Sequence, residues 1–192
     1  MLTLKVIFDY ILAIYLLFLL LPLIVVLFVL SYFSTGEFSF FVQRRVGLNG
    51  RIFKIYKIRS MILQKGDVIT VENDPRITNF GRFIRKFKLD ELPQLINIVL
   101  GEMSFVGPRP DVEGYADKLT GEDRIILSVK PGITGPATLV FRNEESVLAR
   151  QKDPIDYNNN VIWPEKIKIN REYIENWTFK KDLLIIFKTI FP

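Results

Sequence analysis

Asp90 and Glu91 stand side by side, with Pro93 and Gln94 directly downstream, in a chain that contains no Cys and no His. The missing residue types exclude thiolate and Cys/His zinc sites, Ser–His triads and phosphohistidine chemistry. A nucleophile here must be a carboxylate, a hydroxyl or an amine. Cations surround the pair in sequence. Arg85 lies five residues upstream, and Arg109 sits between Pro108 and Pro110 in the loop GEMSFVGPRP. Prolines on both sides fix the backbone of Arg109, which suits a guanidinium that grips phosphate with two parallel bonds. A second rigid device, PGITGP from Pro131 to Pro136, is followed by Arg142, while Lys57 and Arg59 alternate onto one face of a basic–apolar stretch. Carboxylates plus a divalent cation are the catalytic machinery such a chain has available. An Asp at a helix start with a Glu in the first turn is also ordinary capping grammar, in which backbone donors and the helix dipole hold the Asp ionised.

These residues need elements to present them. RIFKIYKIR (Arg51–Arg59) has the period of a half-buried strand, and NDPRITN (Asn73–Asn79) is a turn ahead of a short helix over Phe80–Phe87. LDELPQLINIVL (Leu89–Leu100) is expected as a helix with Asp90 as its N-cap and an apolar face at 89, 92, 95, 96, 99 and 100. From Ile167 to Phe191, Ile174, Trp177, Leu184, Phe187 and Phe191 recur at roughly helical spacing. That segment either packs on the domain or lies on a membrane surface. The fold class is α/β, mainly helical, with short strands and no doubly wound sheet.

The N-terminus has a different character. From Val6 to Phe33 the only charge is Asp9, and Ile11–Phe33 is uncharged. This exceeds the roughly 20 apolar residues that a helix needs to cross a bilayer, and no small-residue cleavage site follows. Pro22 falls in its middle, so a break or kink is expected there. Lys5 lies on one flank and Arg44 with Arg45 on the other, which leaves spanning and re-entry both open. Residues 1–36 are thus a membrane element and 37–192 a catalytic domain. Between Phe38 and Leu89 twelve Lys/Arg face three acids in a chain whose net charge is +5. The basic stretch suggests an anionic partner: phospholipid, nucleotide or nucleic acid.

With QRRVG (Gln43–Gly47), FKIYKIRSM (Phe53–Met61), DPRITNFGRFIR (Asp74–Arg85), LDELPQLINIVLGEMSFVGPRP (Leu89–Pro110) and PGITG (Pro131–Gly135) in this order, the sequence resembles the bacterial sugar transferases. Within them it is most like the small monotopic phosphoglycosyl transferases. The resemblance implies transfer of a sugar 1-phosphate from a UDP-sugar to polyprenol phosphate, with release of UMP. It gives Asp90 the role of nucleophile, through a covalent aspartyl phosphosugar, and Glu91 that of the magnesium-associated partner. It maps phosphate and nucleotide contacts onto Lys57, Arg59, Arg85, Arg109 and Arg142, with Gln94 beside them. It also implies a re-entrant helix broken at Pro22, a cytosolic catalytic domain on the bacterial inner membrane, and membrane lipid as a further partner. Leu21 stands where the family has a Ser before the helix break, leaving Tyr15, Ser31 or other contacts to satisfy the freed backbone, and Asn170 stands where many members carry Asp. Direct attack by the lipid phosphate is the nearest alternative. A basic, non-catalytic binding module is the other, although no nucleic-acid motif accompanies it and nucleic acid is not expected as a partner. Two membrane-facing elements on one short chain leave room for a homodimer.

Overall fold

The computed structural model describes residues 2–63 and 74–191. Lys65, Asp67 and Glu72 of the basic stretch, and Asn73 at the start of the expected turn, lie outside the described residues.

The apolar N-terminus forms one helix, α1 (Leu2–Thr35). Pro22 lies inside it and the helical run is continuous, so the expected break is not an interruption of the helix. Neither candidate substitute serves Pro22: Tyr15 is exposed, and the Ser31 hydroxyl donates to the Arg59 carbonyl at 2.7 Å. α1 is the one helix among the described residues long and apolar enough to cross a membrane. Gly36 ends it with φ +70°, a left-handed turn that a side chain would resist.

An antiparallel hairpin follows, β1 (Phe40–Val46) and β2 (Ile52–Ile58), in register from Phe40 opposite Ile58 to Val46 opposite Ile52. Then come α2 (Asn79–Lys86), capped by Thr78, and a single 3₁₀ turn, Leu89–Glu91, entered through Lys88 at φ +55°. α3 (Gln94–Val99) leads into β3 (Ser104–Val106), which pairs in parallel with β4 (Gly132–Thr134). The remainder is helical: α4 (Pro136–Val140), α5 (Glu144–Ala149), α6 (Pro154–Tyr157), a π turn at Asn158–Ile162, α7 (Trp163–Glu175) and α8 (Phe179–Ile190). Two separate two-stranded sheets among the described residues, in a helical body, match the expected class.

α1 packs along this body. Ala13, Ile55, Leu95, Ile98, Met103, Phe105, Tyr173 and Ile185 share one core, with Leu12, Leu16 and Leu20 against it. Farther along, Leu27 joins Ile58 and Ile84. The opposite side of α1 exposes a large apolar surface, with Phe18 83% exposed. α8 has the same asymmetry: Asp182 and Ile185 point inward, while Leu184 and Phe187, and Phe191 just beyond the helix, are exposed. The expected C-terminal helix is therefore two helices, and both reach the core, through Ile174 and Trp177 on one side of the break and Ile185 and Ile186 on the other.

α3 corrects the expected face. Gln94, Leu95, Asn97 and Ile98 are buried, whereas Leu100 is exposed. The reason is Asn97, which donates to the Lys54 carbonyl (2.7 Å) and to Glu102 (2.8 Å) and accepts from the Tyr56 N–H (3.2 Å). This one amide fixes β2 against α3.

Candidate active site

With β2 fixed by Asn97, Lys57 reaches across to Glu91, Nζ to Oε1 at 2.9 Å. From the other side Arg109 grips the same carboxylate with both guanidinium nitrogens, Nη2 on Oε1 and Nη1 on Oε2 at 3.3 Å. Gly107 makes that approach possible: an added Cβ would lie 2.4 Å from the Lys130 carbonyl oxygen. The loop is pinned there, Gly107 N–H to the Thr134 carbonyl at 3.0 Å and Gly132 N–H to the Pro108 carbonyl at 2.8 Å.

Asp90 is buried beside this clamp and outside it. Its Oδ1 is enclosed by protein and has no hydrogen-bond partner. Asp90 lies within the 3₁₀ turn, and α3 begins only after Pro93 with no side-chain cap, so the expected N-cap role is not realised. The expectation that caps and dipole hold it ionised fails for the same reason. Burial, then the neighbouring Glu91 charge, pushes the Asp90 carboxyl up, against Lys57, Arg85 and Lys88. Glu91 goes the other way: burial alone would raise it, yet Arg109 and Lys57 hold it well below the usual carboxylate range. Two adjacent carboxylates are thereby driven apart, one stabilised as an anion and one poised, the pattern expected where acid, base or nucleophile roles are divided. Burial pushes Lys57 down, with Glu91 opposing, and Glu91 raises Arg109.

The other expected residues take different places. Arg85 pairs with Glu145 on α5 yet is near enough to oppose the rise of Asp90. Gln94 is buried at the start of α3. Arg59 leaves the end of β2, donates from Nε to the Phe38 carbonyl at 2.8 Å and lies over the Phe41 ring, so it does not share the dyad with Lys57. Arg142 donates to the Lys188 carbonyl at 2.8 Å, at the end of α8. Asn170 is buried in α7 with Oδ1 unpartnered.

Sequence reasoning missed three neighbours. Asp111, two residues after Arg109, is pushed up to about 7 by burial, against Lys166, Arg45 and Arg109. Lys166 holds both Glu144 oxygens at 2.7 Å. Arg45 is lowered to about 10 by burial and by Arg109. Asn97 had a visible signal, a lone amide in an apolar run; Asp111 had only its place behind PRP.

A magnesium ion fits this donor set if it arrives with a phosphorylated substrate. No three metal-ligating side chains converge among the described residues, and both Glu91 oxygens are engaged by cations. Asp90 Oδ1 is the free carboxylate oxygen. Magnesium commonly takes one or two carboxylates together with substrate phosphates, and such an arrangement is compatible with this site.

Known proteins resemble this chain over most of its length. The bacterial sugar transferase profile matches residues 1–192. The exopolysaccharide production protein ExoY of Rhizobium meliloti is 36% identical over 202 positions, covering 95% of this chain and 82% of that protein. The undecaprenyl-phosphate galactose phosphotransferase of Salmonella typhimurium is 36% identical over 80% of this chain and 33% of its own length. The UDP-glucose:undecaprenyl-phosphate glucose-1-phosphate transferase of Escherichia coli is 36% identical over 79% of this chain and 32% of its own length. Matched from end to end by the profile and over most of ExoY, the chain belongs to the bacterial sugar transferases and is a transferase enzyme.

Proposed function

We propose that the protein transfers a sugar 1-phosphate from a UDP-sugar to undecaprenyl or a similar polyprenyl phosphate, at the start of a membrane step in polysaccharide synthesis. The observation that carries this reading is the division of labour in the dyad: Glu91 is clamped by Lys57 and Arg109, while Asp90 keeps a buried, unpartnered oxygen. Asp90 attacks the sugar-linked phosphorus, and the bond to the UMP phosphate breaks. The products are UMP and an aspartyl phosphosugar. A polyprenyl phosphate oxygen then attacks the same phosphorus, forms the lipid diphosphate sugar and returns Asp90 as carboxylate. Lys57 and Arg109 hold Glu91 and place positive charge beside the diphosphate, offsetting the repulsion between a carboxylate and two phosphates. Magnesium on the diphosphate would neutralise further charge, with Asp90 in reach; Glu91 would have to yield one of its cations to join it.

A lipid acceptor requires a membrane location. Both ends of α1 touch the same domain: Lys5 meets Asp182 at 2.6 Å, and Ser34 donates to Thr78 at 2.8 Å. A straight 34-residue helix is about 50 Å long, so a spanning helix would carry one end to the far side of the bilayer. Contacts at both ends favour a re-entrant or surface-embedded helix. With α8, it would sit in the bacterial cytoplasmic membrane and face the cytosolic supply of nucleotide sugar. The test is UMP release and label transfer to polyprenyl phosphate from a panel of UDP-sugars in nanodiscs. Transfer for at least one donor supports the reading, and no UMP from any donor overturns it. Because the chain is Cys-free, single cysteines at 3 and 37 can be labelled from either side; labelling from opposite sides would refute re-entry.

A further inference from the structure

The loop that presents Arg109 is tied on one side to β4 through Gly107 and Pro108, and on the other side to β1. The Val46 N–H donates to the Asp111 carbonyl at 2.9 Å, and Arg45 Nη1 donates to the Pro110 carbonyl at 3.2 Å. Arg45 is itself oriented by Gln43, whose Oε1 accepts from Nη2 at 2.7 Å. Its remaining donor, Nε, is buried without any acceptor. Arg44, one residue earlier, shows the contrast: it pairs with Glu113 at 2.8 Å, and both side chains are largely solvent-exposed. The Val46 backbone bond already joins strand to loop, so a guanidinium with an unsatisfied buried N–H is not needed to close the fold there. Departures from polar satisfaction that the fold does not require are expected at functional positions.

We infer that Arg45, oriented by Gln43, is a positioning residue for Arg109: it holds the Pro110 carbonyl so that the guanidinium meets both oxygens of Glu91 and the substrate phosphate beside it. The inference rests on the phosphoglycosyl-transfer reading above. Arg109 supplies charge where it develops during phosphorus attack, and displacement of such a group by about 1 Å costs on the order of 100-fold. Arg45 touches neither the dyad nor, on this account, the substrate, so its effect must pass through Arg109.

A double-mutant cycle on the full chain in nanodiscs, read as single-turnover UMP release with magnesium and a UDP-sugar panel, tests this. Arg45→Ala is expected to slow release about 10- to 100-fold, and Gln43→Ala about threefold. Arg45→Lys, which can still reach the Pro110 carbonyl, recovers to within about fivefold of wild type. In an Arg109→Ala background, Arg45→Ala costs less than about twofold, because coupled residues are not additive. Full additivity of the two losses, or a wild-type rate in Arg45→Ala, overturns the inference. If Arg45→Ala does not melt cooperatively, Arg45→Lys and Gln43→Ala in both backgrounds decide by the same additivity criterion. An active wild type with an additive cycle removes the positioning role alone; a wild type that releases no UMP removes the functional reading beneath it.

Discussion

Asp182 and Asp90 are both buried carboxylates, 1% and 5% exposed, in opposite surroundings. Asp182 accepts from Lys5 at 2.6 Å, from Tyr173 at 2.5 Å and from Trp177 at 3.1 Å on each oxygen. It ties the first turns of α1 to α7 and α8, and its lone pairs are used. Asp90 has neighbouring cations, but Glu91 engages Lys57 and Arg109, and one Asp90 oxygen is left without a hydrogen bond. Breaking a buried carboxylate's full set of partners is costly to the fold; one left unsaturated beside a second carboxylate already carries a desolvation cost and is available for chemistry. The difference lies in the partners, since burial is nearly the same.

Breaking each site should therefore give opposite results. Asp90→Asn is expected to lower UMP release by at least about 10³-fold, the scale of losing a covalent nucleophile. The same change should raise the melting temperature. A group whose folded pKa is raised contributes stability below its unfolded pKa and loses it as pH rises through the folded value, so above that folded value Asp90 costs stability that Asn would not. Chelation with EDTA should cut UMP release by at least about 100-fold and leave the melting temperature where it was. That outcome would locate magnesium at the substrate. Asp182→Ala should do the reverse of Asp90→Asn: it takes from Lys5 its nearer carboxylate, leaving Asp9 at 3.7 Å, and removes the acceptor of Tyr173 and Trp177. It costs on the order of 3–5 kcal/mol by thermal or chemical denaturation and keeps turnover per folded molecule within about threefold.

Smaller effects sharpen the same contrast. Under the proposed mechanism Asp90 attacks as the carboxylate, so the acid limb of the pH–rate profile should lie above the 3.8 of an ordinary aspartate. Glu91, held low by Arg109 and Lys57, should not titrate there. Arg44→Ala should change activity by less than about twofold, because its exposed pair with Glu113 adds little, although Arg45 is its neighbour.

Much of the site was legible in the sequence because it is carried by short, rigid stretches. Asp90-Glu91 is a contiguous pair, two prolines flank Arg109, and period two put Lys57 on a strand, although Arg59, assigned to the same face, does not join it at the dyad. The strand Ile52–Ile58 and helix Asn79–Lys86 fell close to where patterning put them. Legibility ended where long side chains choose partners. Spacing gave Arg59, Arg85 and Arg142 equal standing, yet they reach the Phe38 carbonyl, Glu145 and the Lys188 carbonyl. Contacts distant in sequence were equally hidden: Lys5 and Asp182 are 177 residues apart. On α3 the apolar pattern gave the wrong face because Asn97 turns inward to serve β2, and a polar residue with three hydrogen bonds overrides hydropathy there.

The central claim, that Asp90 is the nucleophile, is tested most directly by intact mass. The wild type and Asp90→Asn would be incubated with magnesium and a UDP-sugar panel, with no lipid acceptor present. The wild type should gain the mass of one phosphosugar, release about one UMP per chain and lose the added mass when polyprenyl phosphate is supplied, while Asp90→Asn stays unmodified. UMP released only in the presence of polyprenyl phosphate, with no added mass at any time, would contradict the covalent role and make the lipid phosphate the direct attacker.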